Sequence, residues 1–412
     1  MIKFFHTADI HLGVENYGKI NSITGVHSRL QDFKNSFQQC IDLAIKEKID
    51  FFLFCGDAYK TAFPTPTHQK ILMNLFFQLK QANIPIVSII GNHDHPLSFG
   101  KVNSLDILSE IPTDGFYVFS KPDILNLETK NGPIQIIGIP WPTRNNIITD
   151  KKFHLKDNIQ ITNFLSQAVS NIIKNLASKL DPRIPSILAG HLTVGTGIFS
   201  GSEKCAIFGN DPVFFNSQLS INNFDYVALG HLHRHQNLNS NSYPPVVYSG
   251  SIERIDFGER KEAKGFCKVE IDVKKKTRCL FEFVKLNIRP MIQVEVFLEK
   301  NKNQTEQILE EMKKIDIKDS ILKIIYHIPE DTKDKVDLQQ IQRACLPAMH
   351  LVSVNPIRKP EIKERRTTLK IDMNIDSLLE KYLDGKNISE AKKKKLIEKT
   401  SLILKDLDSE DT

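Results

Sequence analysis

Apolar and polar residues follow two different periods along the first 285 or so residues of the chain. Short apolar runs predict strands, and stretches with apolar residues three or four positions apart predict helices. The predicted strands are Ile2–Ala8, Asp50–Cys55, Ile84–Ile90, Ile134–Ile139, Ser186–Ala189, Asp225–Leu229, Val246–Tyr248, Phe266–Ile271 and Leu280–Val284. The predicted helices are Leu30–Lys48, Gln69–Gln81 and Asn158–Leu180. Alternation of this kind favours α/β layers, and the closing strands without helices predict a second, more antiparallel sheet.

The pattern changes after Arg289-Pro290. Strands and helices then alternate within a short stretch, which indicates a compact α+β module. Its elements are predicted at Ile292–Leu298, Gln304–Lys314, Ile321–His327, Asp337–Cys345 and Leu351–Val354. The stretch has no cluster of ligand-type residues, so capping or guiding a substrate is a more plausible role than chemistry. We therefore place one domain at 1–288 and a small capping domain at 289–357.

A basic segment and two short amphipathic patterns end the chain. Residues 358–370 (RKPEIKERRTTLK) are rich in lysine and arginine and predict a solvated linker. Within 371–412, Asp376 and Ser389 can each begin a short helix with one apolar face. Two such helices cannot bury their apolar faces alone. We expect them to fold back on the body or to dock on a partner helix.

Charge and cysteine usage exclude little. A net charge of +6 permits a polyanionic partner without requiring one. The six cysteines show no C-x-x-C spacing, which fits a reducing compartment and gives no support to a thiolate zinc site. There is no signal-peptide pattern and no apolar run near the ~20 residues of a membrane span, so we expect a cytoplasmic, soluble protein.

The candidate chemistry lies just after five predicted strands. Each strand is followed by His, Asp or Asn, and four of the five polar groups directly follow a glycine, which lets the backbone turn and a cation or phosphate approach. The stretches are Asp9-Ile10-His11, Gly56-Asp57, Gly91-Asn92-His93-Asp94, Gly190-His191 and Gly230-His231-Leu232-His233. The carboxyl edge of an open α/β sheet is where ligands bind, so we expect these side chains to meet there.

Imidazole, carboxylate and amide groups without thiolates favour Mn²⁺ or Fe²⁺ over structural zinc. Seven such ligands exceed what one ion takes from protein while leaving room for substrate. Two ions ~3.5–4 Å apart that share a carboxylate would use them and could drive a phosphoryl displacement. His93 then remains to stabilise the transition state or protonate the leaving oxygen, and we expect Asp94 to fix its tautomer.

Four motifs resemble those of the calcineurin-like metallophosphoesterases, and within them the SbcD family, the nuclease subunits of bacterial SbcCD complexes. They are HTADIHLG (6–13), AGHLTV (189–194), DYVALGHLHRHQ (225–236) and YSGSIERIDFGE (248–259). The resemblance implies a sandwich of two mixed sheets flanked by helices, followed by the α+β capping domain and the helical tail. It covers most of residues 1–285, and the capping domain and tail match by layout.

The resemblance also implies residue roles. One Mn²⁺ would be held by Asp9, His11, Asp57 and His233, and the other by Asp57, Asn92, His191 and His231, with Mg²⁺ or Fe²⁺ as alternatives. Asp57 would bridge, and His93 would act on the phosphate. Lys60 stands where archaeal and eukaryotic relatives have histidine, a departure that concerns the processing of DNA ends.

The implied activity is ATP-stimulated 3′-to-5′ exonuclease cleavage of double-stranded DNA together with single-strand and hairpin endonuclease cleavage, in DNA repair, recombination and replication. The implied assembly is a homodimer whose tails bind SbcC, an SMC-like coiled-coil ATPase, as a heterotetramer. Two alternatives stay open: a phosphodiesterase acting on a small nucleotide or phosphoprotein, and a non-catalytic scaffold.

Several further residues have candidate roles by position. Arg29, Lys60, Arg234 and Arg254 are candidate phosphate contacts on DNA. His6 is expected in the core or beside the ligands. Trp141, between two prolines, is expected to anchor a rigid loop more than to stack on a base.

Overall fold

The structure is a computed structural model that describes residues 1–96, 101–111, 114–143, 158–201, 211–275, 278–358, 383 and 392–400. In chain order the strands are β1 (Ile2–Thr7), β2 (Phe51–Phe54), β3 (Ile86–Ile89), β4 (Phe116–Phe119), β5 (Asp123–Thr129), β6 (Gly132–Ile139), β7 (Ser186–His191), β8 (Thr193–Val194), β9 (Val213–Phe214), β10 (Tyr226–Gly230), β11 (Gln236–Asn237), β12 (Val246–Tyr248), β13 (Gly265–Ile271), β14 (Cys279–Lys285), β15 (Met291–Phe297), β16 (Ile321–Ile328) and β17 (His350–Arg358). The helices are α1 (Ser28–Glu47), α2 (Pro66–Gln81), α3 (Asn158–Ala177), α4 (Asn216–Leu219), α5 (Gln304–Lys313) and α6 (Leu338–Ala344), with 3₁₀ turns at Asp106–Leu108 and Phe257–Glu259.

Two six-stranded sheets form the body of the protein. The first has the order β14-β13-β1-β2-β3-β4 and the second β11-β12-β10-β7-β6-β5. Both sheets are mixed. In the first, β1 to β4 run parallel to one another, β13 pairs antiparallel with β1, and β14 pairs antiparallel with β13. In the second, the outer strands β5 and β11 are antiparallel to their neighbours. The prediction that the closing strands form a second sheet is therefore wrong for β13 and β14, whereas β12 does lie in the second sheet. β13 and β14 extend the first sheet beyond β1.

The alternation of side chains along the central strands separates two buried layers. Phe51 and Leu53 of β2 point into the core between the two sheets, whereas Phe52 and Phe54 pack under the helices α1 and α2. Helix α3 covers the outer face of the second sheet through residues such as Ile173. Strands buried on both faces are continuously apolar, which is why they could be located from the sequence.

The capping domain has a core of its own. Its parallel sheet has the order β15-β16-β17 and packs against α5 and α6. The side chains of Asn303 and Asp337 accept backbone N–H bonds at the starts of these helices, as N-caps do. A small cluster of Phe257, Met291 and Ile321 joins this domain to the body.

Arg289 also stabilises the junction between the capping domain and the body. Its guanidinium donates to both carboxylate oxygens of Asp32 on α1, at 2.8 to 3.0 Å, and to the Asp319 carbonyl oxygen at 2.7 Å. The bidentate pair ties the first residue of the capping domain to a helix of the body.

Some predicted features lie outside the described residues. These are Cys205, linker residues 359–370 and most of the tail, of which 392–400 is described as helical. The other five cysteines are free and buried. Strands β4 and β5, the short strands β8, β9 and β11 and the short helix α4 were missed. The predicted ends of the other elements differ from the structure by at most four residues, and both ends of β12 agree. Within the described ranges, none of the helices combines the length and apolar character needed to cross a membrane.

Candidate dimetal site

Five strand ends meet at one edge of the two sheets and bring the seven candidate ligands together. Asp9 and His11 follow β1, Asp57 follows β2 and Asn92 follows β3, while His191 ends β7 and His231 and His233 follow β10. Six of these side chains are buried, from 0% exposed for Asp9 to 8% for His231, and Asn92 is half-buried. Buried ionisable groups need partners or a metal.

The backbone is bent into the left-handed region at four of these residues: φ is 55° at Asp9, 51° at His11, 60° at Asp57 and 104° at His231. Such conformations cost on the order of 1–3 kcal/mol each and cluster at functional sites. Glycine serves a different purpose here. A Cβ on Gly91 would collide with the carboxylate and backbone of Asp57, so glycine at 91 is what permits the close approach.

The first group of donors surrounds one side of Asp57. One ligand atom each of Asp9, His11 and His233 lie within 4.8 Å of one another. The Nε2 atoms of His11 and His233 are 3.1 Å apart, and His11 Nε2 is 3.6 Å from Asp57 Oδ2. Facing nitrogens at this spacing are suited to a shared cation.

The second group lies on the other side of the same carboxylate. His191 Nε2 is 3.4 Å from Asp57 Oδ2 and 2.9 Å from Asn92 Oδ1. The Asn92 oxygen is in turn 3.2 Å from His231 Nδ1. Asp57 therefore lies between two clusters of donors, in the position of a bridging ligand.

Burial and charge act against each other in the site. Burial disfavours the Asp57 carboxylate, but the charges of His191 and His93 outweigh it and hold the pKa of Asp57 well below its ordinary value. Burial raises the pKa of Asp9 to about 7 and lowers that of His231 to about 3. The Asp57 carboxylate raises the pKa of His191 to about 9 in spite of its burial, so metal binding would have to displace a proton from this ring. This donor set fits two divalent cations.

His93 differs from the ligands because its side chain is exposed. Its backbone N–H donates to Asp57 Oδ1 at 2.9 Å, and its Nδ1 lies 2.8 Å from the Lys60 carbonyl oxygen. A carbonyl oxygen only accepts, so Nδ1 must hold a proton. A ring nitrogen of His93 also lies within 4.8 Å of ligand atoms of His11 and Asp57.

The expected pairing of Asp94 with His93 is wrong. The Asp94 carboxylate accepts the backbone N–H groups of Asp57 at 2.8 Å, Ala58 at 3.0 Å and Gly91 at 3.1 Å. Its direction is set by these main-chain donors, so it fixes the loops that hold Asp57 and Asn92. The tautomer of His93 is fixed by the main chain of Lys60 instead.

Of the four candidate DNA contacts, two are exposed and two are engaged inside the protein. Lys60 and Arg234 are exposed. Arg29 is fully buried and donates to Asp32 Oδ2 at 3.0 Å and to the Arg254 carbonyl oxygen, so it has a packing role and is not available to phosphate. The half-buried guanidinium of Arg254 donates to the carbonyl oxygens of Arg289 and Glu262.

The groups that orient the ligands were not predicted from the sequence. His191 Nδ1 bonds to the Cys55 carbonyl oxygen at 2.7 Å, and His233 Nδ1 to Glu259 Oε1 at 2.9 Å. A main-chain carbonyl leaves no trace in residue type. Glu259 did have a signal, because it ends one of the four motifs.

Two expectations about ring-bearing residues can be compared with the structure. His6 is buried between the Tyr226 hydroxyl at 3.1 Å and the Leu229 carbonyl oxygen at 3.2 Å, as a core histidine. Trp141 lies with its ring centroid 4.9 Å from that of His231 and 5.9 Å from that of His191. It forms a wall of the second donor group.

Comparison with known proteins gives a consistent result. The profile of the family described as calcineurin-like phosphoesterase matches residues 2–235. The chain is 27% identical over 355 residues to the D subunit of nuclease SbcCD from Staphylococcus epidermidis, covering 85% of this chain and 86% of the relative. It is also 27% identical over 358 residues to the D subunit of the same nuclease from Staphylococcus saprophyticus, covering 86% and 83%.

Among solved structures, a dimetal phosphatase from Danio rerio aligns with 65% of this chain and 92% of its own at 10% identity and a TM-score of 0.36. That TM-score is too low to support an inference, so the sequence matches alone assign the family.

Proposed function

Because the chain belongs to the calcineurin-like phosphoesterase family and is a metal-dependent hydrolase, we propose that it is a DNA nuclease of the SbcD type. It would degrade double-stranded DNA from 3′ ends and would cut hairpins and single strands as an endonuclease, in repair, recombination and replication. The observation that supports this most is the convergence of six further donors around Asp57, with the exposed His93 beside them. The two staphylococcal SbcCD relatives, which match over more than four fifths of this chain, add the substrate class.

The two donor groups have separate tasks in this proposal. Asp9, His11 and His233 would hold one cation, and Asn92, His191 and His231 the other, with Asp57 shared. Two such ions supply a deprotonated water and neutralise charge on the phosphate. We propose Mn²⁺ as the resident ion, with Mg²⁺ and Fe²⁺ as alternatives, because the set has nitrogen and oxygen donors without thiolate.

His93 handles the proton. With Nδ1–H donated to the Lys60 carbonyl oxygen, its Nε2 can hold a second proton and give it to the oxygen that leaves when the phosphodiester is cut. The backbone N–H of His93 on Asp57 Oδ1 keeps the ring beside the shared carboxylate. Asp94 contributes by fixing both loops through their main-chain amides.

The proposed assembly is a heterotetramer of two copies of this chain with two copies of the SMC-like ATPase SbcC. The tail at 371–412 would dock on the base of the coiled coil through its apolar faces. A homodimer is supported by the exposed apolar side chains Phe63 (65%), Val102 (79%) and Ile107 (57%). The Lys101 ammonium, 4.8 Å from the Phe63 ring centroid, brings these segments together.

Cleavage assays test the substrate. Linear duplex DNA, hairpin DNA and a panel of small phosphodiesters would be incubated with the Mn²⁺-loaded chain, with Asp57→Asn as the inactive control. We expect DNA cleavage that the control lacks. Turnover of small nucleotides or a phosphoprotein without DNA cleavage would replace the nuclease with the alternative phosphodiesterase.

A binding assay tests the partner. The full chain and a chain that ends before Ile371 would be used to capture the coiled-coil ATPase encoded beside it. We expect capture by the full chain and its loss on truncation. Equal capture by both chains would refute docking through the tail.

A further inference from the structure

A buried pair of opposite charges lies behind His233. The side chains of Glu259 and Lys264 are both 0% exposed, and Lys264 Nζ is 2.9 Å from Glu259 Oε2. Glu259 belongs to the 3₁₀ turn at Phe257–Glu259, and Lys264 directly precedes β13. Burying such a pair is costly unless further hydrogen bonds compensate both charges, so its partners indicate what it is for.

The partners of the pair belong to this segment or to His233. Glu259 Oε1 lies 2.9 Å from His233 Nδ1, and Glu259 Oε2 accepts the Ile255 backbone N–H at 3.0 Å. Lys264 Nζ also donates to the His233 carbonyl oxygen at 2.9 Å and to Glu262 Oε2 at 3.2 Å. The pair therefore forms hydrogen bonds with both the ring and the main chain of His233.

We propose that Glu259, held in place by Lys264, is a positioning residue that keeps a proton on Nδ1 of His233 and so presents Nε2 to the first metal ion. An ionised carboxylate only accepts hydrogen bonds, so Nδ1 must donate and the lone pair of the ring lies on Nε2. That Nε2 is the atom 3.1 Å from Nε2 of His11. The inference rests on the proposed assignment of His233 as a ligand.

The second donor group provides an internal reference. His191 is oriented by the Cys55 carbonyl oxygen, a main-chain group that no substitution removes. Loss of Glu259 should therefore weaken one metal site and leave the other. A general loosening of the fold would weaken both.

The test is a titration of the full chain with Mn²⁺, in which calorimetry measures the affinity of each site. The variant is Glu259→Leu combined with Lys264→Met, which removes both charges of the buried pair together; Glu262, which also loses Lys264, is partly exposed and can be solvated. We expect the first site to lose affinity by about 10–100-fold, the usual effect of removing such a partner, and the second site to keep it. The matched control removes another Glu–Lys pair, Glu47→Leu with Lys268→Met, whose 2.8 Å ion pair lies at the end of α1. That control should keep both affinities.

A spectroscopic measurement covers the case of a poorly folded double variant. In metal-free protein, ¹⁵N NMR of the imidazoles reports which ring nitrogen of His233 is protonated. The single variant Glu259→Gln keeps the size of the side chain, but its amide can donate as well as accept. We expect the Nδ1–H form to lose its dominance and the first site to weaken.

Two results would overturn the inference: a folded variant with both parental affinities, or equal weakening of both sites. Failure of the parent chain itself to bind two ions would instead count against the proposed function, so the two failures are distinguishable.

Discussion

The edge of the two sheets where the seven candidate ligands meet, the proposed catalytic edge, differs from the capping domain in the kind of side chain that it buries. In the capping domain, apolar side chains such as Ile308 and Ile324 fill the core, and helices begin at ordinary caps such as Asn303. At the catalytic edge, ionisable side chains such as Asp9 and Asp57 are buried and their backbone is left-handed. The apolar packing of the capping domain stabilises the fold. The buried charges and left-handed backbone at the edge destabilise it, and packing elsewhere in the protein must compensate for that cost.

The contrast teaches where substitutions should act. A change to a candidate ligand or to His93 should remove function while the fold survives, because the strands beneath are held by their own apolar layers. A change to Asp94, which braces the ligand loops, should lower stability as well. A change in the capping domain should cost stability and leave the chemistry intact. Four substitutions test this, in order of expected effect.

The largest effect is expected for Asp57→Asn. The amide keeps the volume but removes the charge shared by both donor groups, so both ions should be lost and DNA cleavage should fall by at least about 10³-fold. Metal content and cleavage rate would be measured together, with circular dichroism to confirm folding. Two retained Mn²⁺ ions would show that Asp57 does not bridge.

His93→Ala should lower turnover by roughly 10²–10⁴-fold, the usual contribution of a positioned proton donor. Because His93 is exposed and is not assigned as a ligand, metal content and DNA affinity should stay at parental values. Rates under saturating DNA, with affinity measured separately, check this. Parental turnover would exclude His93 from the reaction.

Asp94→Ala should act through structure. It leaves buried N–H groups of Asp57, Ala58 and Gly91 without their charged acceptor, and we expect a loss of about 3 kcal/mol in the free energy of unfolding. Urea denaturation of the metal-free chain measures it. A stability loss as small as that of a surface substitution would contradict the bracing role.

The smallest effect is expected for Asn303→Ala in the capping domain. Removing this N-cap should cost about 1 kcal/mol of stability and leave the cleavage rate unchanged. Asp337→Ala, at the cap of the next helix, is a matched variant for the same denaturation and cleavage assays. A reduced cleavage rate in either variant would mean that the two regions are not separable.

The sequence allowed the local features to be predicted and left the long-range ones open. Helix α5 and strand β12 could be located because their residues obey a single period and begin or end at recognisable residues. The placement of β13 and β14 in the first sheet could not, because a strand does not encode its partner. Both lie far along the chain from β1, which β13 pairs with.

The candidate site also has local features that could be predicted from the sequence and long-range features that could not. Strand-end residues could be proposed as ligands because each stands in a local pattern, and the structure brings all seven together. The roles of Asp94 and Arg29 could not be predicted, since they depend on which way a side chain points after folding. Proximity in sequence to His93 suggested a contact that Asp94 does not make, and Arg29 is buried where exposure was expected.

The tie between His93 and the main chain of Lys60 has an evolutionary consequence. Since the anchor is a peptide oxygen, it is present whatever amino acid occupies position 60. The exposed side chain there can change in length, charge or hydrogen-bonding capacity while the His93 ring keeps its alignment. Under the proposed nuclease function, the residue at position 60 could therefore change its contact with a DNA end while His93 keeps its place beside Asp57.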